Sequence, residues 1–306
     1  MDKERPQMTA QSPKIGIIYA LAAFGFWGFV PIYFKAVREV PPIEVLAHRI
    51  VWSVPLIALL ITLSGNWKNL REALPFRRVL GTLFLSSVLV MANWFVFIYA
   101  ISTDRVLQAS LGYFINPLVN VILGVIFLRE RLGLWQAMAV LLAAIGTLNL
   151  VLRLDEIPWI SLFLAFSFGF YGLLRKTVQI EALNGLFVET GILCPFAAAY
   201  LLLLAKRHTG SFGTSDWAMT TLLFLAGAVT TLPLLWFTSA TRRLRYTTIG
   251  LFQYLAPSLN FYLAVFYYNE PFTTAHFLTF SCIWTGLAIF VTDSLMKQKI
   301  QNHPRK

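Results

Sequence analysis

Two short stretches place polar groups around a proline inside long apolar runs. Tyr113, Asn116 and Asn120 surround Pro117, and Gln253, Tyr254 and Asn260 surround Pro257. Spacings of three, four and seven residues put Tyr113, Asn116 and Asn120 on one helix face, and likewise Gln253 and Asn260. A proline in a helix removes one N–H bond to the carbonyl four residues earlier, which frees the carbonyls of Tyr113 and Gln253. Amides, phenols and free carbonyls bind solutes by hydrogen bonds, and such a set makes or breaks no covalent bond. In hydrocarbon these groups must meet one another, a cavity or a substrate. Bonding across helices and lining of a pore are both open readings.

Other candidates surround this set. Asn93-Trp94 and Trp236 could add a polar group and aromatic walls, although interfacial anchoring or packing is the commoner role of tryptophan in membranes. Arg49 lies about a turn into an apolar run beside His48, and it reads as the one Arg or Lys well inside such a run. It either snorkels to the nearby interface or meets a partner, water or a ligand. Glu44 and Glu189 occupy comparable positions in the two halves of the chain. With His48 they are the candidates for a coupling step, and a static ion pair is the alternative for Glu189.

The sequence carries none of the familiar motifs of bond-making chemistry. There is no His-Glu-x-x-His, no Gly-x-Ser-x-Gly and no Gly-x-x-x-x-Gly-Lys-Ser/Thr. The five Asp residues fall in tails, loops or helix ends, and the four His show no metal-ligand spacing. The expectation is a protein that is not an enzyme, with no cofactor and no metal. Cys194 and Cys282 both lie in apolar runs, so they read as small buried hydrophobes.

The elements that must position these residues follow from composition. Of 306 residues, 58% are hydrophobic and 13% charged, against roughly 45–50% and about 25% in soluble domains. A helix needs about 20 apolar residues to cross a bilayer. Ten runs qualify: 15–34, 46–64, 79–101, 106–128, 134–152, 157–174, 186–204, 218–239, 247–268 and 274–293. Stretches such as Val79–Val90 do not alternate in polarity, which excludes an outer-membrane barrel. The first run is too long for a signal-peptide core and is expected to stay as the first span. The loops are too short for a soluble domain, so function is placed in the bundle, with the lipid bilayer and a small-molecule substrate as partners.

The net charge of +11 could suggest nucleic acid, but the cations sit in short clusters between apolar runs, and no nucleic-acid partner is expected. With the N-terminus placed inside, 18 of the 25 Lys and Arg fall on the cytoplasmic side and 6 outside. This bias puts both termini in the cytoplasm.

The halves also repeat. Phe24-Gly25-Phe26-Trp27-Gly28 recurs as Phe168-Gly169-Phe170-Tyr171-Gly172. Pro117, Asn120, Glu130 and Gly146 recur at an offset near 140 as Pro257, Asn260, Glu270 and Gly286, and Pro55 and Arg105 recur as Pro195 and Arg245. Five spans per half is an odd number, so the second half must enter the membrane from the opposite side. Inverted repeats allow one half to rock against the other around a midplane site. The organisation expected is an N-tail (1–14), a first repeat (15–152), a second repeat (157–293) and a C-tail (294–306).

Phe26-Trp27-Gly28, His48-Arg49-Ile50-Val51-Trp52, Leu111-Gly112-Tyr113-Phe114-Ile115-Asn116-Pro117-Leu118 and Phe252-Gln253-Tyr254-Leu255 together resemble the RarD group of the EamA family, in the drug/metabolite transporter superfamily. The resemblance spans about residues 15–295. It implies an all-α integral membrane protein of ten helices in two inverted five-helix repeats, a bacterial inner-membrane location, and export or exchange of small metabolites. The group's name reflects an association with chloramphenicol sensitivity. Ala256 stands where Asn116 would recur, so the site is not expected to be symmetric.

The resulting expectation is a secondary transporter working by alternating access on a metabolite or drug-like solute, with a passive channel as the alternative. The basic outer group Lys35, Arg38 and Arg49 suggests an anionic moiety on the substrate. A ridge of Ala139, Ala143 and Thr147 either packs within the bundle or pairs chains into a homodimer.

Overall fold

The computed structural model describes residues 13–103, 105–152, 157–214, 216–267 and 274–302, and the regular elements among them are all helical. In chain order they are α1 (Pro13–Ala36), α2 (Pro42–Ser64), the short α3 (Trp67–Ala73), α4 (Arg77–Ser102), α5 (Val106–Leu128), α6 (Leu134–Val151), α7 (Trp159–Thr177), α8 (Ala182–Arg207) and α9 (Trp217–Arg243). There follow α10 (Tyr246–Gln253), α11 (Leu255–Tyr262), a π-helical turn (Leu263–Tyr267) and α12 (Thr274–Asn302).

Among the described residues eight segments are long and apolar enough to cross a membrane: α1, α2, α4, α5, α6, α8, α9 and the run Tyr246–Tyr267. The remaining two expected spans are helical but fall outside that set. The apolar part of α12 is the shorter stretch Phe277–Asp293. In α7, Ser161, Ser167, Gly169, Tyr171, Gly172 and Arg175 are all buried, so this helix is wrapped largely by protein and has less need of a lipid-soluble surface. The predicted partner of Glu130, Glu270, lies outside the described residues.

Local chemistry sets the helix ends. Pro42 stands in the first turn of α2, and Gly65, in the left-handed region at φ 67°, closes the helix by donating to the carbonyls of Ile61 and Thr62. Asp216 caps α9 by accepting from the N–H groups of Ala218 and Met219.

The ninth expected span differs from a single kinked helix. It breaks at Tyr254 into α10 and α11, whereas α5 runs unbroken through Pro117. The break lies one turn before Pro257, where the proline removes a backbone donor.

The helices pack in matched pairs. α1 lies on α9, and α7 on α4; α2 lies on α9, and α8 on α4; α5 lies on α7, and α11 on α1. Three further contacts join α2 to α8, α5 to α10, and α6 to α12. The core is an aromatic cluster in which the two copies of the repeated motif meet. Trp27 and Phe168 pack edge-to-face at 5.8 Å, and Phe237 lies 6.0 Å from Phe24 and 5.2 Å from Phe168. Ala139, Ala143 and Thr147 are buried, and α6 lies on α12, so this small-residue ridge packs inside the chain.

Candidate functional site

The break in α10–α11 and the proline of α5 face each other. Gly250 permits this approach, because a Cβ there would sit 2.6 Å from the carbonyl oxygen of Pro117. Beside it, three amides close a network. The Asn120 amide donates to Gln253 Oε1 at 2.5 Å, Gln253 donates to Asn116 Oδ1, and Asn116 donates to the Ala165 carbonyl at 2.5 Å. All three side chains are buried. The structure thus brings together Asn116, Asn120 and Gln253 and spends most of their hydrogen-bonding capacity on joining α5, α7 and α10. Cross-helix bonds of this kind contribute about 0.6 kcal/mol on average in a membrane protein. One acceptor, Asn120 Oδ1, has no partner.

The other sequence candidates separate. Asn260 does not join the network, and its buried Oδ1 has no partner. Tyr254 is buried and donates to the Phe114 carbonyl at 3.2 Å. Asn93 is used between α4 and α7, donating to the Leu164 carbonyl at 2.9 Å and to Ser167 Oγ at 2.8 Å. Trp236 packs on Phe26 at 6.0 Å.

Arg49 has a different environment. Its Nε donates to Thr230 Oγ1 at 2.8 Å, and its guanidinium carbon lies 5.1 Å from the Trp94 ring centroid and 5.4 Å from that of Phe34. The phenols of Tyr33 and Tyr113 are within electrostatic range. Tyr113 also meets Phe97 at 6.3 Å. Helices α1, α2, α4, α5 and α9 therefore converge on one cation. Arg49, Phe34 and Trp94 are only half-buried, and Tyr113 is 47% exposed, so the group is not sealed. A central charge costs roughly 2.5–3.5 kcal/mol on insertion scales, and each desolvated cation–π contact returns up to about 2 kcal/mol.

A second intramembrane cation escapes sequence reasoning. Arg175 stands one residue past the expected run 157–174, yet it lies within α7 and is 1% exposed. Its Nε stands 3.6 Å from Glu189 Oε1, and its Nη2 donates to the Ala182 carbonyl at 2.8 Å. Glu189 also accepts from Ser86 at 2.5 Å and lies 3.4 Å from the Tyr171 hydroxyl. Arg49 is accordingly not the sole cation inside the bundle. The available signal was Glu189 itself, a carboxylate in an apolar run that needs a partner.

Glu44 and His48 are also engaged. Glu44 accepts from the Ser211 N–H at 2.6 Å and lies 3.9 Å from His48 Nε2, while His48 Nδ1 accepts from the Trp52 indole at 3.1 Å. Phe212, from the same loop as Ser211, packs at a tilt against His48, with ring centroids 5.0 Å apart. Among the described residues no group of His, Cys, Asp and Glu could hold a metal ion.

The opposite end of the bundle is laced shut. Glu130 accepts from the N–H groups of Tyr246 at 2.7 Å and Thr247 at 2.9 Å, joining the end of α5 to the start of α10. Lys176 donates to the carbonyls of Thr241 at 2.8 Å and Leu244 at 2.5 Å, and Arg242 donates to the carbonyls of Val178 and Ile180. The Tyr246 hydroxyl donates to the Gly169 carbonyl at 2.5 Å.

Comparison with known proteins agrees with this architecture. Residues 14–152 match the EamA-like transporter family. An uncharacterized transporter of Vibrio cholerae is 47% identical over 93% of this chain and 94% of its own length. Protein RarD of Escherichia coli is 44% identical over 95% of this chain and 99% of its own. One solved crystal structure, 17% identical, superposes with a TM-score of 0.68 over 91% of this chain and 97% of that one, which shows a common fold. The chain belongs to the EamA family of membrane transporters, in the drug/metabolite transporter superfamily, and to its RarD group.

Proposed function

We propose that the protein is a secondary transporter that moves a small metabolite or drug-like solute across the bacterial inner membrane by alternating access, in export or exchange. Ten spans, in two five-helix repeats of opposite topology (15–152 and 157–293), would supply the moving halves, with both termini in the cytoplasm. The observation that carries this reading is the matched packing. Under the repeat correspondence, every helix pair described above either maps onto another pair or onto itself.

Such an arrangement has two related closures, one at each end, and rocking exchanges them. The lacing around Glu130, Lys176 and Arg242 corresponds to closure at the cytoplasmic end. The half-exposed cluster around Arg49 corresponds to an opening from the outer side. Arg49, Trp94 and Tyr113 are the substrate-contact candidates in this scheme, and the amide network of Asn116, Asn120 and Gln253 is the pivot between halves. A passive pore would need a continuous polar path, and the sealed end and closed amide network favour the carrier.

Purified protein in proteoliposomes, offered a panel of labelled metabolites, should show saturable uptake that is accelerated by unlabelled substrate on the far side. Ion conduction at channel rates with no counterflow of any panel member would overturn the proposal.

A further inference from the structure

Among the described residues, Arg175 and Arg49 both lie within the bundle, and they are treated in opposite ways. Arg175 is sealed and faces the carboxylate of Glu189. Arg49 is half-buried, and among the described residues no carboxylate lies within ion-pair distance of it. The nearest acidic residue on its own helix, Glu44, is committed to Ser211 and His48. Thr230 takes the Nε of Arg49, and the rings of Phe34 and Trp94 lie against the guanidinium. These contacts hold the cation in place without neutralising it, and they leave the two terminal nitrogens for another acceptor.

We infer that Arg49 is the receptor for a monoanionic group on the substrate, specifically a carboxylate attached to a planar or otherwise apolar body; this rests on the carrier reading above. A guanidinium presents parallel N–H donors that match a carboxylate, and the match gives orientation as well as attraction. One cation suits one negative charge. Among the described residues, the side chains that interact with Arg49 are aromatic or hydroxylic, namely Tyr33, Phe34, Trp94, Tyr113 and Thr230, and they offer no partner to a second negative charge. The same rings supply the flat apolar wall for the body of the ligand.

The test compares phenylacetate with its uncharged isostere phenylacetamide, and benzoate with benzamide. Binding is read by thermal shift of the purified protein and transport by counterflow in proteoliposomes. In the wild type the carboxylates should bind at least tenfold more tightly than the amides. Arg49→Gln should erase that preference, and Arg49→Lys should keep the preference with weaker binding. Trp94→Leu, which leaves the charge in place, should weaken both members of each pair together.

Arg49-dependent binding of carboxylates, joined to channel-rate conduction and no counterflow of any panel member, would support the anion site and overturn the carrier. Counterflow of either pair with no preference for the anion, unchanged in Arg49→Gln, would overturn the anion site and leave the carrier standing. Absence of Arg49-dependent carboxylate binding overturns the inference, and a folded Arg49→Lys variant serves as the check should Arg49→Gln fail to fold.

Discussion

Gly146 on α6 and Gly286 on α12 make the same contact in exchange. A Cβ on Gly146 would lie 2.8 Å from the carbonyl oxygen of Thr279, and one on Gly286 would lie 2.7 Å from that of Ala139. The spacing from Gly146 to Gly286 equals the spacing from Ala139 to Thr279, so the interface has the reciprocity of a two-fold axis. Thr279 reinforces it by donating to the Gly146 carbonyl at 3.1 Å.

Close backbone approach of this kind drives helix association in lipid, where the hydrophobic effect between helices is absent. Gly286→Val should therefore push α12 away from α6, at about 1–3 kcal/mol for overpacking. Thermal unfolding in detergent should show a lowered midpoint. Gly191→Ala, where no atom lies within 4 Å of the added Cβ, should leave the midpoint within a degree or two.

The amide network should behave as a unit. Asn120→Leu leaves Gln253 Oε1 without its donor, and Gln253→Leu takes one acceptor from the Asn120 amide and one donor from Asn116 Oδ1. Each single change is expected to destabilise by about 1–3 kcal/mol. The double variant should cost less than the sum of the two, and a double-mutant cycle on unfolding midpoints measures the coupling.

For Arg175 and Glu189, removing one partner strands a charge. Arg175→Met or Glu189→Met should each cost about 3–5 kcal/mol, and the double variant should recover much of that. Counterflow by the double variant separates the two readings of Glu189. Retained, ion-dependent transport fits a static pair, while loss of ion dependence in a folded protein fits a coupling role.

Glu130 joins α5 to α10 through two backbone N–H groups. Glu130→Ala should loosen that end and Glu130→Gln should loosen it less, because the amide oxygen keeps one acceptor. With both cysteines replaced by serine, labelling of Ser239→Cys, which is buried near this end, reports the change. Its rate is expected to rise severalfold in Glu130→Ala and only slightly in Glu130→Gln.

Much of the fold is legible in the sequence. Hydropathy alone locates helices at all ten expected runs, because a backbone in hydrocarbon must satisfy its own hydrogen bonds and a helix does so at a predictable length. The motifs around Phe26-Trp27-Gly28, His48-Arg49 and Tyr113-Phe114-Ile115-Asn116-Pro117 resemble those of the family, and the relatives agree. The helix break is where local reasoning fell short. Pro117 and Pro257 are equivalent in sequence, yet only the second accompanies a broken helix.

The tertiary structure decided what each intramembrane polar group does. Helical periodicity tells which residues share a face, but a side chain is satisfied or free according to what another helix brings against it. Asn116 and Asn120 meet Gln253 and are closed off, Arg175 meets Glu189 and is sealed, and Arg49 meets rings and a hydroxyl with, among the described residues, no opposing charge. Those partners sit on other helices, so composition and spacing could nominate the residues while only packing could distinguish a bolt from a binding group.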